Sequence, residues 1–207
     1  MPPDLAALVA PAVTALVTQE CQKGVLGEHA VFPQLAEVAR AEMIPNAARL
    51  VNAARAANVP VIHCIAARRR DGFGYNQNAR LFGAARKSGV SLEPGSEATK
   101  VIDEIGLEPA DLVSVRMHGI GPMSGTDLDP LLRHLGARTI VAVGVSVNIG
   151  LTNLVMDAVN AGYNVVLPRD AVVGIPSEYA DAIIDNTLSL LATVVTTADV
   201  VSAWETV

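Results

Sequence analysis

Charge is scarce in this 207-residue chain: Asp, Glu, Lys and Arg make up only 17% of it, against 51% hydrophobic residues. With so few charges, much of the surface must be closed off by packing, as a sheet buried on both faces and a subunit interface would do. The net charge is −6, which argues against the general footprint of a nucleic-acid-binding protein. No apolar run reaches membrane-spanning length, and the opening MPPDLAALVAPAV lacks the basic flank of a signal peptide. Cysteine occurs twice, as Cys21 and Cys64, with neither metal-site spacing nor a disulfide framework, so a reducing cytoplasm is expected. The chain also lacks repeats, low-complexity tracts and linkers. Gly119, Gly121 and Gly125 lack the following Lys-Ser/Thr of a phosphate loop. A single α/β domain over residues 1–207 is the expectation from length.

What is present alternates between β-branched runs and amphipathic stretches. The organising segment runs from about Arg138 to Asn164. Thr139 to Val143 reads as a strand buried on both faces, Gly144 breaks it, and from Asn148 the apolar spacing becomes helical until Gly162. Tyr163 to Leu167 follows as the next strand. The turn GVSVNIG then lies where ligands bind in open parallel sheets, between a strand's carboxyl end and a helix N-terminus. Upstream, Val13–Gln19, Val59–Ala66 and Asp111–Met117 read as strands one to three. Pro45 is expected to open a helix running to about Asn58, and short helices are expected near Glu37, over Glu97–Ile105 and over Leu128–Leu135. Residues 67–89, polar and glycine-bearing, are too long for an ordinary connection and form a candidate binding loop. A helix over about Ser177–Leu190, a strand near Ala192–Thr196 and a terminal helix complete a parallel sheet with helices on both faces.

The order and separation of TALVTQECQ, IPNAARLVNAARAANVPVIH, SGTDLDPLLRHLGARTIVAVGVSVNIG and the aspartate in LPRDAV resemble the isochorismatase-like hydrolase superfamily, or cysteine hydrolases. That group includes nicotinamidases, carbamoylsarcosine amidases and isochorismatases. The resemblance covers nearly the whole chain and implies a Rossmann-related, three-layer αβα sandwich around a six-stranded parallel sheet. It also implies a site built from the ends of strands one, three and four, and a homodimer or homotetramer acting on a small molecule. No metal constellation is visible, the aspartate and histidine clusters of metal-binding family members being unmatched here, and no cofactor is expected. A non-proline cis peptide at Val145–Ser146 is implied as well, aiming the amides near Ile149 and Gly150 into the pocket.

The catalytic positions depart from the family pattern. Where that pattern reads like VIDMQ, this chain has TQECQ, so Glu20 stands in the aspartate's place. The family lysine falls on Arg116 or Met117. The nucleophilic cysteine, seventh in a pattern like GVATDVC, falls on Gly150. True isochorismatases, with a pattern like GVYAHIG, share that glycine and cleave a vinyl ether without a nucleophilic side chain. The resemblance therefore implies a hydrolase that dispenses with the thiol, with Glu20 as acid or base toward a carboxylated or enol-ether substrate. An Arg116–Glu20 pair would weaken acid catalysis. The alternative is a catalytically silent member that binds a small molecule or serves as an oligomeric partner.

The other candidates each carry two readings. Glu20 is either the acid–base group or a salt-bridged structural carboxylate. Gln22 orients a water or caps its loop, and His63 contacts substrate or is a hydrogen-bonded core residue. His118, just past the third strand, is placed for a ligand or proton transfer. The Arg68–Arg70 run holds a carboxylate or is a solvated face. Tyr75 and Asn76 suit a specificity loop or a subunit contact, and Ser146, Asn148 and Ile149 belong to the candidate turn, with Asn148 a possible helix N-cap. Cys21 and Cys64 are read as buried and unreactive, the third alternative being an amidase that uses Cys64 or Cys21 as its nucleophile.

Overall fold

The computed structural model describes residues 4–206. Seven strands form one sheet: β1 (Thr14–Gln19), β2 (Val61–Ala66), β3 (Leu112–Arg116), β4 (Thr139–Val145), β5 (Asn164–Pro168), β6 (Val172–Val173) and β7 (Thr193–Val195). Their order is β3-β2-β1-β4-β5-β7, every pairing is parallel, and β6 adds to the end of β4. Nine helices accompany them among the described residues: α1 (Leu5–Leu8), α2 (Lys23–Leu26), α3 (Pro33–Ala41), α4 (Met43–Ala56), α5 (Arg80–Lys87), α6 (Leu128–His134), α7 (Thr152–Asn160), α8 (Ser177–Asn186) and α9 (Thr197–Glu205). No helix among the described residues is long and apolar enough to cross a membrane.

The continuous burial of β1 and β4 follows from their place in the sheet. Both are buried at every position, because helices cover both faces at the centre. On one face, Leu50 and Val51 of α4 pack with Val200 and Trp204 of α9, and the Trp204 indole donates to the Val9 carbonyl at 2.8 Å. On the other face, Leu132 of α6, Leu154 and Val155 of α7 and Ile184 of α8 close the second layer. These are the three expected layers. The edge strand β3 is covered on one side only, leaving Val113 and Val115 39% and 41% exposed.

Several elements differ from expectation. The sheet has seven strands rather than six, because two-residue β6 is too short to show any periodicity and exists through its pairing with Gly144 and Val145. Glu97–Ile105 is no helix beyond the short 3-10 turn Glu97–Thr99. A bridge between Gln22 and Val101, with Ile102 N–H donating to the Cys21 carbonyl at 3.1 Å, holds that backbone extended. The binding loop contains helix α5, and the short helix α2 follows the end of β1. Pro45 lies third in α4 rather than first, still within the turn whose N–H groups lack helical partners. A π-turn, Val147–Leu151, precedes α7, and Asn148 caps nothing there. Its amide instead donates to the Ile175 carbonyl (2.7 Å) and accepts from the Ile175 N–H (3.0 Å).

The sheet order places β1 between β2 and β4, so the connections leave in opposite directions at the β1–β4 boundary. That switch point opens a crevice at the strands' carboxyl ends. Leu50 is fully buried at the centre of α4. Leu50→Ala is expected to cost about 2–5 kcal/mol in chemical denaturation, through lost contacts and the cavity left behind.

Candidate functional site

Three strand ends build the crevice floor. β1 stops at Gln19, and Glu20 turns the chain with φ of 53°, a left-handed conformation that costs a non-glycine residue about 1–2 kcal/mol. Such strain concentrates at functional sites. The turn sends Cys21 into the core while the Glu20 side chain stays at the crevice, 20% exposed. From the end of β3, Arg116 donates from Nη2 to Glu20 Oε1 and from Nη1 to the carbonyls of Gly119 and His118. Of the two residues matched to the family lysine, it is Arg116, not Met117, that makes this ion pair. From β4, the cis peptide Val145–Ser146 leads into the π-turn and Gly150.

Together these residues line a cavity of about 90 Å³. Its polar floor of Glu20, Arg116 and Ser146 faces largely apolar walls: Phe32 just before α3, Leu35 from α3, Phe82 and Ala85 from α5, and Leu92. Charges in such surroundings interact more strongly than in water. Tyr75, Ile149 and Gly150 complete the lining. Burial raises the Tyr75 phenol above its ordinary pKa, against the nearby arginines. The Ile149 amide does not point free into the pocket, because it donates to the Ser146 carbonyl at 3.1 Å.

Other candidates lie elsewhere. Gln22 is fully buried and clamps the crevice from behind: its amide exchanges bonds with the N–H and carbonyl of Ala66 (2.6 and 2.9 Å) and donates to the Ala98 carbonyl at 3.1 Å. Asn76 accepts from the Gly119 N–H at 2.7 Å and ties its loop to the segment after β3. His118 is exposed, and its ring rests beside Gly125 rather than in the cavity. His63 sits deep in the sheet, with Nδ1 2.8 Å from Thr18 Oγ1 and Nε2 3.4 Å from Asp111, itself paired with Arg55. Burial lowers the His63 pKa, outweighing the opposing Asp111 charge. Among the described residues, no three His, Cys, Asp or Glu side chains gather to hold a metal ion.

Both thiols are buried. Burial, then the Glu20 charge, pushes Cys21 up to about 12 and raises Cys64 further. A thiol at such values carries almost no thiolate, the form that attacks. Sequence reasoning missed Gln19. Its amide is fully buried with neither Nε2 nor Oε1 partnered, and a Cβ added to Gly150 would meet Nε2 at 3.0 Å. The β1 pattern marked Gln19 as the one long polar side chain in an otherwise buried run, which was the available signal.

Two outcomes follow. Gly150→Ala is expected to cost about 1–3 kcal/mol by overpacking against the Gln19 amide, and a Gln19→Ala background should remove most of that cost in a double-mutant cycle. For His63, the unfolded chain takes up a proton near the ordinary value of 6.5 and the folded chain only at lower pH. Its contribution is therefore complete above pH 6.5 and is lost as pH falls toward the folded value. Urea titrations over that range should show a shallower decline in His63→Gln.

The fold and site can now be set beside known proteins. The family model described as "Isochorismatase domain" matches residues 14–199. Among solved structures, a cysteine hydrolase from Pseudomonas syringae pv. phaseolicola superimposes with a TM-score of 0.81 at 22% identity, covering 96% of this chain and 95% of that one. An isochorismatase family protein from Burkholderia thailandensis gives 0.75 at 28% identity, covering 94% and 96%. N-carbamoylsarcosine amidase from Thermoplasma acidophilum gives 0.70 at 22% identity, covering 89% and 96%. An uncharacterised isochorismatase family protein of Bacillus subtilis is 35% identical over 83 residues, 40% of this chain and 43% of that protein, so the match spans less than half of the relative. A family model spanning all seven strands, over a sheet whose neighbours share its architecture, shows that the chain belongs to the isochorismatase family.

Proposed function

We propose that this protein is a hydrolase that works without a thiol nucleophile, on a small carboxylated or enol-ether substrate, with Glu20 as its acid–base group. The observation that carries this reading is the ion pair of Glu20 and Arg116 on the floor of an otherwise apolar cavity, beside Gly150. By resemblance, Gly150 occupies the position of the family's nucleophilic cysteine. The pair also selects the arm of acid–base chemistry. A guanidinium only donates and an ionised carboxylate only accepts, so the contact fits a carboxylate ready to take a proton. Arg116 engages Oε1, which leaves Oε2 to accept a proton from water as that water attacks the substrate. The positive charge of Arg116 beside the cavity would offset the negative charge that develops, and Glu20 returns its proton to the leaving group. An enol ether needs the reverse order, in which Glu20 first takes up a proton from solvent, a step that Arg116 opposes, then delivers it to the terminal carbon before water adds.

The rival reading is a silent binder, favoured by the same arginine being engaged by Glu20 and two carbonyls. We further read the chain as a single cytoplasmic domain that assembles as a homodimer or homotetramer and takes neither cofactor, metal, nucleic acid nor membrane. The exposed Val113 and Val115 on edge strand β3 support assembly. The test is hydrolysis across a panel of small carboxylated enol ethers, esters and amides, beginning with isochorismate. Glu20→Gln keeps an acceptor for Arg116 and should remain folded while turnover falls about 10²–10⁴-fold. Equal turnover in the variant would remove Glu20 from the mechanism, and no turnover in the parent protein would leave the binder.

A further inference from the structure

Beside the reaction cavity lies a second, wider concavity of about 640 Å³, between residues 68–77 and the end of α5. Tyr75 and Phe82 line both spaces, their rings meeting edge to face at 5.4 Å. The outer space is lined by four arginines, Arg68, Arg69, Arg70 and Arg86, and by two carboxylates, Asp71 and Glu93. Four positive charges against two negative leave a surplus of two, in a chain whose net charge is −6.

The pairing within this cluster is uneven. Arg69 is bound bidentately by Asp71 at 2.9 and 2.6 Å. Arg70 comes only to 3.9 Å from Glu93, whose Oε1 accepts from the Ser91 hydroxyl at 3.0 Å. Among the described residues, no carboxylate lies within ion-pair distance of Arg68 or Arg86. Arg68 is held in place all the same. Its Nη2 donates to the carbonyls of Val90 (2.7 Å) and Ala85 (3.4 Å), and its guanidinium stands 5.8 Å from the Tyr75 ring centre. Those bonds use one nitrogen and leave Nε and Nη1 as donors in a fixed orientation, the arrangement that suits an oxyanion. A concave wall with surplus positive charge also concentrates anions before contact.

We infer that this outer cavity binds an anionic group, a carboxylate or a phosphate, belonging to the same ligand whose compact apolar or ring-bearing end enters the inner cavity past Tyr75. The placement of the reacting end rests on the proposed hydrolase reading; the anion site itself rests on the arginine cluster. The ligand class is thus an anionic small molecule with its charge set apart from the bond that reacts.

The test is calorimetric titration of the full chain with inorganic phosphate and with malonate, at low ionic strength. Binding in about the millimolar range is expected for at least one probe, weakened about tenfold by Arg86→Glu and by Arg70→Glu. Arg49→Glu, an equal charge change at an exposed position of α4, should leave it nearly unaltered. The tighter probe identifies the group as phosphoryl or carboxyl. No binding of either probe, binding indifferent to Arg86→Glu and Arg70→Glu, or equal weakening by Arg49→Glu would each overturn the site. Since no turnover is measured, failure here leaves the Glu20 reading intact, and an inert Glu20 leaves the anion site intact.

Discussion

The ion pair between Glu20 and Arg116 is the contact on which the rest of the site depends. β1 and β3 are not neighbours in the sheet; β2 runs between them. The pair therefore reaches over the carboxyl end of β2, and Gln22 fastens that end from behind through Ala66. Two largely buried charges must satisfy each other there, because an unpaired charge left in such surroundings costs about 3–5 kcal/mol. The left-handed turn at Glu20 and the carbonyls of His118 and Gly119 around Arg116 are the local adjustments that permit the contact.

The chemistry proposed around that pair differs from thiol catalysis in a physically consistent way. Gly150 has no nucleophile, and the space beneath it is filled by the Gln19 amide, so the two positions fit each other sterically. The cysteines that remain are sealed in the core with thiols raised far above neutrality. What the crevice offers instead is a carboxylate, a guanidinium and largely apolar walls. In the proposed reaction these are sufficient, since attack by water needs a base and a partner for developing charge rather than a covalent relay.

Much of this was legible from residue order. The βαβ unit around 138–164 stands out because its strand is uniformly apolar and its helix is amphipathic, and that unit positions Gly150. Glu20 and Arg116 were recognisable as strand-end charges. Other features depend on distant partners and leave little local trace. Helix α5 carries Arg and Lys and a central glycine, and it folds where Phe82 and Ala85 find the cavity wall. Gln22, Asn76 and Asn148 each carried a site reading beside a bland one, and each bonds backbone that only the tertiary fold brings close. His63 followed its bland reading as a buried, hydrogen-bonded core residue.

The central claim is hydrolysis without a protein-bound intermediate on sulfur. Intact-mass measurement of the protein, quenched during steady-state turnover of a hydrolysed ester or amide, tests it most directly. The account predicts product accumulating while the chain keeps its unmodified mass at every time point. An acyl adduct that rises and decays with turnover and maps to Cys64 or Cys21 would contradict it.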